Sequence, residues 1–382
     1  MIIRQPLIWA TLLYITGILL GTLLSSIYFI YISAILLVAG TLLRKKTYIT
    51  EALLFAFWIT LGMARVAMSN KGTQENSFYE TIHWKAQEQQ EQLTQRLRDA
   101  GLDEKTLSLS SALLLGQKTT LEKETRRNYA QVGVSHLLAL SGMHLGIIYG
   151  LMYMLFIRRI RFSEWKWFWL PLILLTIWGY TFVTGFPISL VRASIMFSLA
   201  TIATLAQNET PPLHILALSA LVILLFSPDA LFSISFQLSF LAVLFIIILY
   251  QPLRRLIGPQ NIIIDMLMLS VVAQLGTAPL SIYYFHTLPL MGAIVSVILI
   301  PLTTVIIYLG LTVLLIPIDC LTWLLSIAIK LQDWIVGTAA SIPHTVITDL
   351  YPTWWQVLLA YMLLLCIIAR SHIQWSREDF NH

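Results

Sequence analysis

Twelve apolar runs dominate the 382-residue chain, at roughly 7–24, 28–43, 49–68, 132–157, 167–184, 187–206, 212–226, 231–250, 262–285, 290–316, 319–341 and 353–369. Most approach the ~20 residues that an α-helix needs to cross a bilayer, and the rest suit tilted or broken helices. The expected fold class is therefore all-α: a polytopic helical membrane protein with about 11–12 transmembrane spans, some broken or interfacial. Run 7–24 lacks a small-residue cleavage site and leads straight into the next run, so it reads as a first span rather than a cleavable signal. Run 319–341 is interrupted by Lys330 and Asp333, which makes it a candidate for the membrane interface.

The longest polar stretch, Ser69 to Gln131, stands apart. Trp84 to Arg98 is rich in Gln, Glu and Arg and predicts a surface helix. After Gly101, the residues Leu107, Leu109, Ala112, Leu113, Leu114 and Leu115 predict a second, more apolar helix ending at Gly116. Two amphipathic helices lying on the outer membrane face are the simplest reading. A lip or plug over a pore is the alternative.

Composition supports the membrane reading. The chain is 58% hydrophobic and 11% charged, with a mean hydropathy of +0.78. Soluble domains carry about 25% charged residues, so this much charge cannot coat a soluble protein of this size. Disorder is excluded by the same figures. The net charge of +5 is ordinary for a membrane protein with basic inside loops. Cys320 and Cys366 belong to no Cys-x-x-Cys or Cys/His array, which argues against a metal site or a disulfide framework.

Basic residues then set the orientation. Arg44-Lys45-Lys46, Arg158-Arg159-Arg161 with Lys166, Arg254-Arg255 and the tail from Arg370 form four clusters. With an inside N-terminus and twelve crossings, all four fall inside, as the positive-inside rule requires. Both termini are then cytoplasmic. The 69–131 stretch falls outside, which long loops tolerate whatever their charge.

Several motifs point nowhere. Gly116-Gln117-Lys118-Thr119-Thr120 resembles the tail of a phosphate-binding loop, but its Gly and Lys are not adjacent and no strand precedes it. His136 and His144 have no partner at helical spacing to complete the three or four ligands zinc needs. Ser141 and His144 are spaced as a possible nucleophile and base, yet no third, orienting acid lies nearby. No enzymatic activity, metal or cofactor is expected.

The informative stretch is Gly133 to Gly146, where two histidines, two serines and three glycines open an otherwise apolar span. Ser141-Gly142 permits a helix break, and non-helical backbone at membrane depth needs protein or a water-filled cavity to satisfy it. Ionisable residues in a membrane are costly and are functional candidates by default. The alternative leaves His136 at the interface and His144 bonded to a neighbouring helix.

The string HLLALSGMHLG closely resembles the hallmark of the bacterial competence membrane channel family (ComEC type), which moves DNA across the inner membrane during natural transformation. ALLLGQKTTL before it is similar to the family's lead-in. Gly185-Phe186-Pro187 through Ser189, Arg192 and Ala193 is similar to the next motif. Pro228 with Phe236-Gln237-Leu238-Ser239-Phe240 resembles another, and Ala273-Gln274 with Thr277, Pro279-Leu280 and Tyr284-Phe285 a fourth. Order and spacing agree from about 107 to 317. The expected organisation is a three-span region at 1–68, an extracytoplasmic amphipathic segment at 69–131, a competence-type channel domain at 132–369 and a cytoplasmic tail at 370–382. Relatives usually carry an external OB-like domain, and often a β-lactamase-like domain with a His/Asp metal motif; this chain shows no sequence pattern for either. Where relatives often have Asn ahead of a Pro-Leu, this chain has Ser296 ahead of Pro301-Leu302.

The resemblance implies an inner-membrane channel for single-stranded DNA. Such a path must be wet, because burying a charge on every nucleotide in hydrocarbon is prohibitive. The candidate lining is His136, Ser141, Gly142, His144, Arg192, Ser194, Gln237, Ser239, Gln274 and Thr277, with Ser235 a further polar position. An Arg at a helix centre costs roughly 2.5–3.5 kcal/mol on insertion scales, so Arg192 is expected in polar company unless it snorkels. A nearly neutral lining suits passage better than tight binding, which uses basic stripes and stacking aromatics. Trp165, Trp167, Trp169, Trp354 and Trp355 cluster at span ends and read as an interfacial belt. No ATP-binding motif is present. The resemblance therefore implies an external DNA receptor and a cytoplasmic helicase-like ATPase as partners, with a separate nuclease as a further possibility. Alternatives are a small-solute transporter, a degenerate channel without transport activity, and an intramembrane hydrolase using Ser141 and His144.

Overall fold

Helices account for nearly every apolar run, because within a bilayer a backbone must satisfy its own hydrogen bonds. The computed structural model describes residues 5–24, 28–42, 47–69, 77–160, 162, 164–207, 210–257, 261–343 and 345–378. Three apolar helices, α1 (Pro6–Leu23), α2 (Tyr28–Leu42) and α3 (Thr47–Ser69), precede three helices in the polar stretch: α4 (Ser77–Asp99), α5 (Glu104–Leu115) and α6 (Lys123–Val132). The next run is broken into α7 (Ser135–Leu138), α8 (Gly142–Met152), a π-helical turn Tyr153–Ile157 and α9 (Arg158–Ile160). Then follow α10 (Lys166–Val183), α11 (Ile188–Leu205) and α12 (Pro212–Phe226), a 3₁₀ turn Pro228–Phe232, α13 (Ile234–Ile257) and α14 (Ile262–Phe285). The last helices are α15 (Gly292–Leu315), α16 (Asp319–Ser341) and α17 (Trp354–Glu378). Two short strands, β1 (Leu288–Pro289) and β2 (Val346–Ile347), pair antiparallel with Leu288 opposite Ile347.

Among the described residues, eight segments are long and apolar enough to cross a membrane: Pro6–Leu23, Glu51–Ser69, Gly142–Ile160, Ile188–Leu205, Ile234–Arg255, Ile262–Phe285, Gly292–Leu315 and Asp319–Ser341. Shorter apolar helices at Tyr28–Ala39, Trp167–Val183, Pro212–Phe226 and Trp354–Cys366 occupy the remaining predicted runs. α16 qualifies in spite of Lys330 and Asp333. The helices are apolar on both sides. α15 buries Val295, Leu299 and Ile306 yet exposes Ile294, Ile298 and Val305. A helix that is hydrophobic all round and only half covered by protein has lipid, not water, as its other solvent.

The fold divides into two units, Met1–Glu80 with Ser198–Phe240, and Thr81–Phe197 with Leu241–His382. This grouping differs from the four consecutive segments expected from sequence. The 198–240 stretch groups with the first three helices, and residues 81–131 belong to the same unit as the spans that follow them. The reason is packing, which follows spatial neighbours rather than runs of composition.

In the first unit, α1 and α3 approach so closely that a side chain on Gly62 would meet Tyr14 O at 2.5 Å. Gly17 faces Ile59 in the same way, as small residues do where membrane helices touch. Arg65 ties α3 to α12: its Nε and Nη2 donate to Leu225 O at 2.7 Å and Phe226 O at 2.8 Å. A cation there satisfies helix-end carbonyls and complements the α12 dipole. The cluster Arg44-Lys45-Lys46 lies outside the described residues.

In the second unit, α5 corrects the expectation of a surface helix. Thr106, Leu107, Leu109 and Ser110 through Leu115 are all buried. α5 lies against α15 and α16, with Leu114 filling the notch at Gly310. α4 keeps the amphipathic, exposed character expected of it, and α6 is a further helix in the stretch. Gln90 of α4 donates to Leu115 O and, at 2.9 Å, to Thr184 O. Phe245, Met268 and Val272 form a cluster joined by Tyr361, whose hydroxyl donates to Gly276 O at 3.0 Å. Arg254 of α13 pairs with Asp265 of α14 at 3.3 Å.

Candidate functional site

The corner between α6 and α8 is built by local signals. Gly133 closes α6 at φ +87°, and a Cβ there would meet Pro289 at 2.5 Å. Only glycine fits both the left-handed conformation and the close approach. After the single turn of α7, Ala139 and Ser141 are extended, with ψ 122° and ψ 169°. The break expected at Ser141-Gly142 is present, and it starts a new helix inside an apolar run.

Ser141 caps that helix. Its Oγ accepts from Met143 N at 3.2 Å, and His144 Nδ1 accepts from Ser141 N at 3.4 Å. Ser141 Oγ and His144 Nδ1 are 3.3 Å apart. This is a capping box in which histidine takes the place usually held by Glu or Gln. The serine–histidine pair that sequence spacing offered as a nucleophile and base is thus engaged in holding the helix start. His144 is fully buried, and its Nε2 has no hydrogen-bond partner.

α11 begins next to α8. Ser189 Oγ donates to Leu140 O. A Cβ on Gly142 would lie 3.4 Å from Ala193, and one on Gly146 would lie 3.4 Å from Phe197. The contacts advance by four residues on both helices, so α8 and the start of α11 run parallel. Tyr149 stacks on Phe197 with ring centroids 4.5 Å apart. Arg192, next to Ala193, is buried, so it does not snorkel to the surface. Ser194 is buried too, and its Oγ lies 2.6 Å from Thr181 Oγ1, linking α10 to α11.

The structure therefore gathers Ser141, Gly142, His144, Arg192 and Ser194 on neighbouring segments. His136, on the single turn of α7, is exposed. Gln274 reaches the same corner indirectly: its Nε2 donates to Pro289 O at 2.7 Å, and Pro289 packs on Gly133. Thr277 Oγ1 donates back to Ala273 O in its own helix at 2.9 Å. Gln237 and Ser239 belong to the other unit, where Gln237 Nε2 donates to Leu231 O at 3.0 Å and both residues are half-buried. Ser296, at the position where the resembled family often has Asn, is buried with its Oγ donating to Gly292 O at 2.6 Å.

Sequence reasoning missed a polar seam along α16. Lys105 Nζ lies 2.7 Å from Asp333 Oδ2, and Lys330 Nζ lies 2.9 Å from Asp103 Oδ1. Asp103 also caps α5 through Thr106 N. The Lys330 ammonium on Asp103 holds its carboxyl below the usual range, and the hydrogen bond to Asp333 raises the Lys105 ammonium. Deeper in, Gln332 is buried, accepting from Thr303 Oγ1 at 3.2 Å and donating to Tyr129 OH at 3.3 Å. The signal was the i, i+3 pair Lys330 and Asp333 in a span, which called for partners of opposite sign.

Apolar helices exposed on one side and broken by capped, polar starts within the bundle define a multi-pass helical membrane protein. The chain belongs to the Competence protein family, whose model matches residues 113–373, more than half of it. It is 33% identical to ComE operon protein 3 of Bacillus subtilis (strain 168) over 201 residues, 50% of this chain and 24% of that protein. An uncharacterized protein of Aquifex aeolicus (strain VF5) is 28% identical over 221 residues, 56% of this chain and 48% of that protein. The MG316 homolog of Mycoplasma pneumoniae is 30% identical over 189 residues, 44% of this chain and 48% of that protein. The chain thus matches between a quarter and a half of the length of these curated relatives. No solved structure matches it.

Proposed function

We propose that this chain forms part of an inner-membrane path for single-stranded DNA entering the cytoplasm during natural transformation, with both termini cytoplasmic. Family membership supports the reading, as does the likeness to a ComE operon protein. The observation that carries it is the corner at Ser141 to His144 and Ser189 to Arg192. There α8 starts beside the second turn of α11, with a buried imidazole and a buried guanidinium where hydrocarbon neighbours would be expected. Such groups are retained in membranes where polar cargo must pass. The role is passive conduction rather than catalysis. Directed movement then needs an external DNA receptor to deliver the strand and a cytoplasmic helicase-like ATPase to draw it in. A separate nuclease would supply the single strand.

Deleting the gene in a competent host and counting transformants tests this. Loss of transformants, restored by a copy of the wild-type gene, is expected. Undiminished transformation in the deletion strain overturns the reading.

A further inference from the structure

The start of α8, set beside the second turn of α11, concentrates positive potential at one place. Each helix N-terminus carries roughly half an elementary charge from its aligned peptide dipoles. Here the α8 end lies beside the second turn of α11, fixed there by Ser189 Oγ on Leu140 O and by the Gly142–Ala193 and Gly146–Phe197 contacts. The buried guanidinium of Arg192 lies on the second turn of α11. No Asp or Glu occurs at 125–163 or 165–208, so α7, α8 and α11 bring no carboxylate of their own.

His144 adds the feature that points to a ligand. Its Nδ1 is occupied at the α8 cap by Ser141 N–H, so the neutral ring carries its proton on Nε2. The ring is pinned over the helix start by that bond. Its Nε2 edge is fully buried and donates to nothing in the protein. A buried donor left unpaired costs about 1–3 kcal/mol. A donor of this kind, at a helix start packed beside the turn that carries an arginine, is complementary to an anion with accepting oxygens.

We infer that the N-terminus of α8, with His144 Nε2 and Arg192, binds one phosphodiester group of the translocating strand. The inference rests on the proposed DNA path and assigns its chemistry: the corner reads backbone phosphate, not bases. A single station of this kind holds one nucleotide's charge at a time, which suits stepwise passage.

The test uses the full chain purified in an uncharged, phosphate-free detergent. Binding of a fluorescent oligothymidylate with phosphodiester linkages is measured by anisotropy and compared with its uncharged methylphosphonate counterpart. Dimethyl phosphate and a short-chain phosphatidylglycerol serve as competitors. His144→Asn keeps an acceptor for Ser141 N–H, and so the cap, but removes the Nε2 donor; Arg192→Gln removes the charge. Elution volume and helical circular dichroism check that each variant is folded. The expected result is binding of the phosphodiester strand, competition by dimethyl phosphate, and at least about tenfold weaker binding by the methylphosphonate strand and by folded His144→Asn, the scale of one charged hydrogen bond. Equal binding of both strands, or no effect of His144→Asn, overturns the inference. Tighter binding of the lipid than of the oligonucleotide overturns its assignment to a polynucleotide. Lost transformation in the deletion strain without His144-dependent binding leaves the DNA path standing and removes the station. Phosphodiester binding that depends on His144, alongside normal transformation in that strain, does the reverse.

Discussion

The ammonium of Lys105 lies 2.7 Å from the carboxylate of Asp333. The pair formed by Asp103 and Lys330 repeats the contact at 2.9 Å with the signs exchanged between the two segments. The start of α5 is therefore held to α16 by two ion pairs of opposite polarity. Lys105→Glu should lower the thermal midpoint, and Lys105→Glu with Asp333→Lys should recover most of it. The coupling is expected near 1 kcal/mol or below, because Lys105 is 57% exposed and Asp333 22%. Thermal unfolding of the four proteins of the cycle checks this.

The same latch carries a pH dependence of known sign. Asp103 has a lowered value in the fold, so its stabilisation is present above the ordinary aspartate range. It disappears as acid takes the pH down through the lowered value. Lys105 has a raised value, so its stabilisation is present below the ordinary lysine range and is lost as alkali takes the pH up through the raised one. Cleavage by acid-active pepsin in the α4–α5 link should therefore increase at low pH. Lys330→Met should show faster cleavage at mildly acidic pH and a smaller pH response.

Ser141→Ala removes the acceptor for Met143 N. Loss of an N-cap should cost about 1 kcal/mol, and Ser141→Asn should restore much of it. The measurement is the unfolding midpoint in detergent. A hydrolase reading predicts instead that a serine-directed probe labels the wild type and not Ser141→Ala. Absence of labelling is expected.

Gly133→Ala meets two obstacles at one position, a φ of +87° and the ring of Pro289 at 2.5 Å. It should destabilise by more than about 1 kcal/mol, against a gain where alanine fits the native backbone. Protein accumulation in the membrane and the thermal midpoint should both fall. Gly150→Ala, with open space around it, is the control and should accumulate normally.

Arg192→Gln and His144→Ala should each abolish transformation while the protein still inserts and accumulates. Transformant counts alongside membrane immunoblots make the comparison. Normal counts for both variants would remove the corner from the DNA path.

Some of the site was legible early. Histidines, serines and glycines crowded between apolar runs marked 133–146 as costly to place in a membrane, and Ser141-Gly142 marked the break. His144 as a capping residue was not legible, since only the turn geometry shows which way its ring points. Gln237 and Gln274 looked alike in sequence, as amides in apolar spans. One donates to Leu231 O in the first unit and the other anchors Pro289 in the second. Lys330 and Asp333 stood in sequence as isolated charges in an apolar run, and only the fold shows their partners, Asp103 and Lys105.

Hydrophobicity is additive along a chain, so the apolar runs alone determined an all-helical membrane protein and the rough place of each helix. Burial and pairing depend on what arrives from distant segments. Only the tertiary structure decided that α5 is covered rather than lying on a surface, that α16 meets opposite charges, and that α8 starts beside the second turn of α11. Periodicity describes a helix's own faces, whereas the neighbour against each face is a property of the packed chain.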